Sequence, residues 1–148
     1  MLALNRLHWK YVLIILVAVL AVVWFLWPKP PQYTLQAGSR TYKLEAVTAP
    51  EAKVKGLGGR SSMPTDAGML FPFDQAAINR CFWMKDMRFS VDIIWLDADR
   101  RVRHIEHSVS PNTYPKEYCP PYLSQYVIEL NAGEAKRAGI AEGVVLTF

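Results

Sequence analysis

An uninterrupted apolar segment near the N-terminus constrains this chain more than any other feature. It runs from Tyr11 to Trp27, and its 17 residues, YVLIILVAVLAVVWFLW, include no charged residue, glycine or proline. A helix of that length reaches roughly 26 Å, close to the thickness of a hydrocarbon core of about 30 Å. Arg6 and Lys10 precede the segment, and Pro28 follows it. The sequence therefore predicts one transmembrane helix over residues 11–27, with the lipid bilayer as its partner.

The basic tail over residues 1–10 predicts the orientation, because positively charged flanks stay in the cytoplasm. We expect a single-pass protein of the cell membrane with a cytoplasmic N-terminus and with residues 28–148 outside. Two alternatives stay open: a signal peptide cleaved near Ala21, and a helix buried in a globular fold. Cleavage at Ala21 would leave the apolar segment 22–27 at the new N-terminus, which favours an uncleaved anchor. There is no cysteine near the segment, which excludes a lipoprotein anchor.

The remainder of the chain has the size and charge of one small domain. It contains 121 residues, with 15 basic and 13 acidic side chains. That length suffices for one hydrophobic core but not for two domains. The chain has no long run of Lys and Arg, and its short cluster at Arg100, Arg101 and Arg103 is typical of a solvated strand face. We therefore expect no nucleic-acid partner.

The two cysteines, Cys81 and Cys119, both lie in the domain that is predicted to be exported. An even number of cysteines in an oxidising compartment favours a disulfide between them. Such a bond would close a loop of about 38 residues and stabilise the fold by roughly 4 kcal/mol. Two unrelated buried thiols, or a catalytic cysteine, are the alternatives.

The hydrophobic pattern after the apolar segment predicts a mainly β domain. Residues 28–40 begin with Pro28-Lys29-Pro30-Pro31 and are expected to form an extended, proline-rich stalk. The domain then covers residues 41–148, with a helix that begins at Pro50 and another over 132–138. The predicted strands cover residues 41–48, 68–73, 80–84, 91–97, 102–107, 125–130 and 143–148. We expect an α+β fold, mainly β, in the form of a compact barrel-like domain with two short helices.

Several short motifs in this domain occur together in a known family. They are Gly68-Met-Leu-Phe71, Phe82-Trp-Met-Lys85, the VDIIWLDAD stretch over 91–99, the YVIELNAG stretch over 126–133, and Gly139-Ile140 with Gly143. In this order and spacing they resemble the bacterial and archaeal family called domain of unknown function 192, over about residues 42–148. The resemblance implies a β-rich domain, often exported or anchored to a membrane, and it implies no agreed activity.

Four residues are candidates for a ligand-binding site. Trp83 and Lys85 lie at the start of a predicted loop and are suited to line a polar pocket with an aromatic floor, although Trp83 in the core is the simpler alternative. Asp92 lies inside the apolar stretch VDIIWL, where a carboxylate needs a partner. Lys85, Arg88 or Arg60 are the expected partners, and Arg60 is for this reason a fourth candidate. A purely structural role for Asp92 is slightly favoured.

The sequence contains no recognisable catalytic or metal-binding motif. His104 and Glu106 share a strand face, but two ligands do not make a metal centre, so no metal and no cofactor is expected. We expect a non-catalytic envelope module that binds a small polar ligand, such as a saccharide, or a partner protein. A hydrolase-like enzyme that uses Asp92 and Lys85, and a structural scaffold in a membrane complex, are the alternatives.

Overall fold

The apolar N-terminal segment forms one long helix. A computed structural model of the chain describes residues 3–26 and 30–148, with side chains described from residue 9 onward in the first helix. This helix, α1, covers Ala3–Leu26, and its window Trp9–Leu26 has a mean hydropathy of 2.5. Length and composition suit a membrane span. Every side chain from residue 9 to 26 is exposed, and none belongs to the hydrophobic cores of the domain. Trp27, which ends the predicted span, and Pro28 lie outside the described residues.

The domain is built on one mixed six-stranded sheet. Its strands are β1 (Gln32–Ala37), β2 (Arg40–Ala46), β3 (Ala67–Ala77), β5 (Val91–Leu96), β6 (Val102–Val109) and β8 (Ser124–Asn131). Their spatial order is β1-β2-β3-β8-β5-β6, and β2 with β3 is the parallel pair. A separate two-stranded ribbon pairs β4 (Phe82–Trp83) with β7 (Glu117–Tyr118). Two short helices, α2 (Pro50–Lys55) and α3 (Glu134–Arg137), and a 3₁₀ turn over Pro111–Thr113 complete the described elements.

The predicted barrel is wrong, because the sheet stays open. Closure would require β1 and β6, the two edge strands, to pair with each other. The C-terminal segment instead touches each edge through a single isolated bridge, Thr147 with Gln36 and Val145 with Arg101. These bridges cover the edges without forming a seventh strand, so the strand predicted over 143–148 is also absent from the described elements. The mainly β composition with short helices is confirmed.

The predicted stalk is shorter than its proline content suggests. Gln32–Ala37, which the prediction placed in the stalk over 28–40, forms β1 and pairs with β2 from Gln32↔Glu45 to Ala37↔Arg40. Leu35 and Ala37 alternate toward the core and are buried. The domain therefore begins at about residue 32, and only residues 27–31 separate it from α1.

Both faces of the sheet are covered, which explains the continuous apolar character of β5. All six residues of Val91–Leu96 are buried. The even-numbered positions Ile94 and Leu96 join one core cluster, beneath α3, together with Ala135 and Ile140. The odd-numbered positions join the other cluster, beneath α2 and the β4–β7 ribbon. The members of this second cluster are Val47, Leu57, Met63, Met69, Phe71, Met84, Val91, Ile93, Trp95, Val109, Tyr118 and Val127.

Gly68, the first residue of the GMLF motif, permits the closest strand packing in the first cluster. A Cβ atom at this position would lie 2.7 Å from Cδ2 of Leu44 and 2.7 Å from Cδ2 of Leu130. A Cβ atom would also lie 2.9 Å from the backbone oxygen of Glu129, which cannot move aside as a leucine methyl group can, so a larger residue would strain this strand pair.

Candidate functional site

Three of the four predicted site residues, Trp83, Lys85 and Arg60, line hollows on the α2 side of the sheet. Pro50 begins α2 at its first turn, and the helix ends at Gly56, whose φ of +50° favours glycine. The loop that follows α2 is held against the turn after β4 by a 2.8 Å hydrogen bond from Gly59 N to Asp86 O. Phe71 lies below this loop, and a Cβ atom on Gly56 would be 3.4 Å from its ring. The loop therefore forms one wall of a hollow above the sheet.

This hollow is a cavity of about 210 Å³ with aromatic walls. Phe71 and Phe82 meet edge to face, with their ring centroids 4.9 Å apart. Phe82 packs in the same way against Trp95, at 5.9 Å. The cavity, which we call the aromatic pocket, is lined by Lys53, Val54, Lys55, Gly56, Leu57, Phe71, Phe73, Cys81, Phe82, Trp83, Lys85, Met87 and Glu129. Its volume suits a single ring or a short chain.

Glu129 is the one acid in the lining of the aromatic pocket. It lies on β8, in register with Met69 on one side and Ile93 on the other, so its side chain shares the face of the second core cluster. Only 4% of its surface is exposed. Its Oε2 atom is buried and has no hydrogen-bond partner among the described residues. A buried polar atom of this kind costs free energy unless a ligand or water satisfies it.

The surroundings of Glu129 hold its carboxyl group in the protonated form. Burial raises the pKa of Glu129 to about 8, and the positive charge of Arg60 lowers it only in part. A protonated carboxyl group donates one hydrogen bond and accepts others. At neutral pH the aromatic pocket therefore presents a neutral donor and acceptor at its base.

The rim of the pocket is basic. Lys53, Lys55 and Lys85 line it. The ammonium group of Lys53 lies 4.6 Å from the centroid of the Phe73 ring, on a ring that Arg80 also covers. With Glu129 protonated, no negative charge in the lining opposes these three cations.

Two of the predicted site residues, Trp83 and Lys85, lie together in this pocket. Trp83 is 39% exposed at the mouth rather than buried in the core. Arg60 lies in an adjoining hollow and pairs with both carboxylate oxygens of Glu45, at 2.9 and 2.8 Å. This hydrogen bonding raises the pKa of Arg60.

Asp92 lies on the opposite face of the sheet from Glu129. It is completely buried and is in register with Leu130 of the first core cluster. The expected cationic partners do not contact it. Its Oδ1 accepts the backbone N–H of Ser108 at 2.8 Å, and its Oδ2 accepts that of Ala135 at 2.9 Å. Asp92 thus fastens the first turn of α3 to the end of β6. It lines neither the aromatic pocket nor either of the two hollows beside it.

A second set of ionisable groups also fastens α3 to the sheet. Glu134 accepts hydrogen bonds from Tyr42 at 2.8 Å, Arg137 at 2.6 Å and Arg40 at 3.2 Å. Burial acts to raise the pKa of Glu134, but the hydrogen bonds from Tyr42 and Arg137 and the nearby positive charges together lower it. Burial, with the hydrogen bond to Glu134, raises the pKa of Tyr42 to about 12. Both carboxylate oxygens of Glu134 are thus satisfied by groups within the protein.

The predicted disulfide between Cys81 and Cys119 is present. Their Cα atoms are 4.2 Å apart, slightly closer than the expected range of about 4.4–6.8 Å. The bond lies beside the last pair of the β4–β7 ribbon, and Cys81 contributes to the lining of the aromatic pocket. It therefore ties the segment between β6 and β8, which contains β7, to the wall of the pocket.

His104 also lies within reach of acids. Its Nε2 is 3.3 Å from Glu106, and its Nδ1 is 3.2 Å from Glu142. Glu106 was expected on the same strand face, whereas Glu142 comes from the C-terminal segment.

Sequence reasoning missed Glu129, although a signal for it was present. It lies in the strand YVIELN, where alternation places it with Val127 on a buried face. The argument that drew attention to Asp92, a carboxylate among residues that favour burial, applies equally to Glu129.

The comparisons with known proteins place the chain in a family. The family model DUF192, described as "Uncharacterized ACR", matches residues 33–148. The chain therefore belongs to this family, as its motifs suggested. A search of the curated proteins found no match.

Two solved structures have the same fold. A protein of unknown function from Novosphingobium aromaticivorans is 24% identical, with a TM-score of 0.72, and the match covers 79% of this chain and 85% of that one. A protein from Sinorhizobium meliloti, described as a putative transcription regulator, is 27% identical, with a TM-score of 0.73, and the match covers 81% of this chain and 95% of that one.

Proposed function

We propose that this chain is a single-pass membrane protein whose β-rich domain lies outside the cytoplasm and binds a small ligand in the aromatic pocket. The unpartnered Oε2 atom of Glu129 carries the ligand-binding part of this proposal. Proteins seldom keep a buried polar atom unsatisfied, and a ligand group in the pocket would supply the missing hydrogen bond.

The lining indicates what the ligand contains. Aromatic walls formed by Phe71, Phe82 and Trp83 favour a flat apolar face, such as a small ring or the C–H face of a sugar. At the bottom of the pocket, the ligand needs a group that hydrogen-bonds to the neutral carboxyl group of Glu129, such as a hydroxyl or an amide. Lysines at the rim favour an additional negative charge. These contacts are suited to ligand binding rather than to catalysis. The hydrolase alternative requires Asp92 and Lys85 to act together, and Asp92 does not line the pocket that contains Lys85.

The ligand proposal is tested with probes that differ in these groups. We would measure the thermal shift and NMR chemical-shift changes of residues 30–148 with N-acetylglucosamine, glucose and 4-hydroxybenzoate. A bound probe is expected to move the resonances of Trp83 and Glu129. Trp83→Ala should abolish this binding, whereas Tyr33→Ala, which removes an exposed aromatic ring on β1, should leave it unchanged.

Glu129 provides a second test of the same pocket. Glu129→Leu should remove binding of a probe that has a hydroxyl group, whereas Glu129→Gln should retain much of it, because an amide still donates and accepts. If a broad fragment screen finds no small molecule that contacts Trp83 or Glu129, the proposal is refuted.

The membrane part of the proposal rests on α1, whose described side chains are apolar and exposed from Tyr11 onward. The full chain should stay in the membrane fraction after alkaline extraction, and deletion of residues 1–27 should release a folded, soluble domain. A shortened protein that resists alkaline extraction, or a full chain that is released by it, would contradict the anchor.

A further inference from the structure

We propose that the rim of the aromatic pocket docks on the anionic surface of the bilayer that holds α1. The rim is the surface formed by Lys53, Val54, Lys55, Trp83 and Lys85. This inference rests on the proposed membrane anchoring, and it adds a second contact between the domain and the lipid.

The first support is the short connection between α1 and the domain. From Leu26 to Gln32 there are six residue steps, which span at most about 22 Å when fully extended. The domain therefore stays beside the bilayer wherever α1 is inserted.

The second support is the place where this connection enters the domain. Pro31 O accepts a 2.8 Å hydrogen bond from Ala46 N, at the C-terminal end of β2. Only residues 47–49 separate that end from Pro50, which begins α2. The connection to the anchor thus joins the sheet at the C-terminal end of β2. The same end leads into α2, which forms one wall of the pocket.

The third support is the chemistry of the rim. Val54 is 65% exposed and Trp83 is 39% exposed. Tryptophan and aliphatic side chains beside lysines are typical of surfaces that lie at the membrane–water interface. Arg88 adds a positive charge beside the rim, and Glu51 and Asp86 add two negative charges. Glu117, which pairs with Trp83 across the β4–β7 ribbon, and its neighbour Lys116 add one charge of each sign. The surface therefore retains a net charge of +2, which complements an anionic lipid headgroup.

The docking is testable on the domain alone, because both core clusters are built from residues 35 onward and α1 contributes to neither. We would measure co-sedimentation of residues 30–148 with vesicles of phosphatidylglycerol and phosphatidylcholine in equal parts, and with vesicles of phosphatidylcholine alone, at about 0.1 M salt. Binding is expected with the anionic vesicles and should decrease as the salt concentration rises.

Matched charge variants identify the surface. Lys55→Gln with Lys85→Gln should weaken binding roughly 25-fold, about fivefold for each lysine. The control variant Lys43→Gln with Lys136→Gln makes the same change in net charge away from the rim and should have a much smaller effect. Trp83→Ala should weaken binding to anionic vesicles without changing its salt dependence.

The full chain in nanodiscs gives an independent readout. Residues 53–57 and 83–88 should exchange amide hydrogens more slowly in nanodiscs that contain phosphatidylglycerol than in those made of phosphatidylcholine. Equal binding by the rim and control variants, or exchange that does not depend on the lipid, would overturn the docking. A full chain that is not membrane-embedded would instead overturn the anchor, even if the isolated domain still binds anionic vesicles.

Discussion

Replacement of Glu129 by glutamine should change how the stability of the domain depends on pH. The side chain is buried at the base of the aromatic pocket, and burial raises its pKa from 4.5 to about 8. A glutamine side chain would have nearly the same shape and no ionisable proton. Because Oε2 of Glu129 has no partner among the described residues, the substitution removes no hydrogen bond from that atom.

The sign and size of the effect follow from the difference in pKa between the unfolded and folded states. Between pH 4.5 and about pH 8 the folded domain keeps a proton on Glu129 that the unfolded chain has released. The free energy of unfolding therefore falls as the pH rises through this window. At about 1.4 kcal/mol per unit of pKa, the total decrease is about 5 kcal/mol. This contribution is fully present below pH 4.5 and is lost above about pH 8.

Glu134 acts in a different window and does not obscure this effect. Its pKa is lowered, so its contribution is present above the pKa of the unfolded state and is lost as the pH falls below it. The stability curve above pH 4.5 therefore reports mainly on Glu129.

The assay is urea denaturation of residues 30–148, followed by far-UV circular dichroism at half-unit steps from about pH 4.5 to 9. The wild-type domain should lose stability steadily up to about pH 8. The Glu129→Gln variant should show a much flatter curve and should be the more stable protein at about pH 8.5. Parallel curves for the two proteins would refute the assignment of a protonated, buried carboxyl group to this position.

Three further substitutions test other parts of the fold. Replacement of Cys81 and Cys119 by serine should lower the free energy of unfolding, measured in urea, by roughly 4 kcal/mol. A wild-type protein whose stability does not change when reductant is added would contradict this. Asp92→Asn should cost about 2–3 kcal/mol, because an amide nitrogen cannot accept from one of two backbone N–H groups, and it should leave probe binding in the pocket unchanged. Gly68→Ala should cost about 1–3 kcal/mol because its Cβ would overlap two leucine side chains, and a thermal melt that matches wild type would refute this.

The elements that the sequence predicts best are those with strong local signals. Pro50 marks the start of α2, and the hairpin of β5 and β6 follows from two apolar stretches separated by a turn at Asp97. In that turn, Oδ1 of Asp97 accepts the backbone N–H groups of Asp99 and Arg101 at 3.0 Å each. Signals of this kind depend on neighbouring residues only, so one sequence suffices to read them.

Features that depend on distant pairing are not determined by such signals. An open sheet and a closed barrel give each strand the same alternation, so the pattern cannot show whether the edges meet. The two bridges of the C-terminal segment, at Thr147 and Val145, occupy the edges that a barrel would join. β1 was missed for another reason: the prolines before Gln32 dominate the composition and hide the alternation of Leu35 and Ala37.

The two buried acids show what local reasoning can and cannot say about a site. Asp92 and Glu129 each lie in an apolar strand, and the sequence alone makes both equally good candidates for a buried site residue. Register separates them, because Asp92 is paired with Leu130 on the α3 face while Glu129 is paired with Ile93 on the α2 face. On its own face, Asp92 meets two backbone N–H donors, and its needs are met inside the protein. Glu129 lines a cavity instead, and its Oε2 atom has no hydrogen-bond partner among the described residues. We therefore expect a ligand to bind beside Glu129 rather than beside Asp92, although Asp92 is the more deeply buried acid.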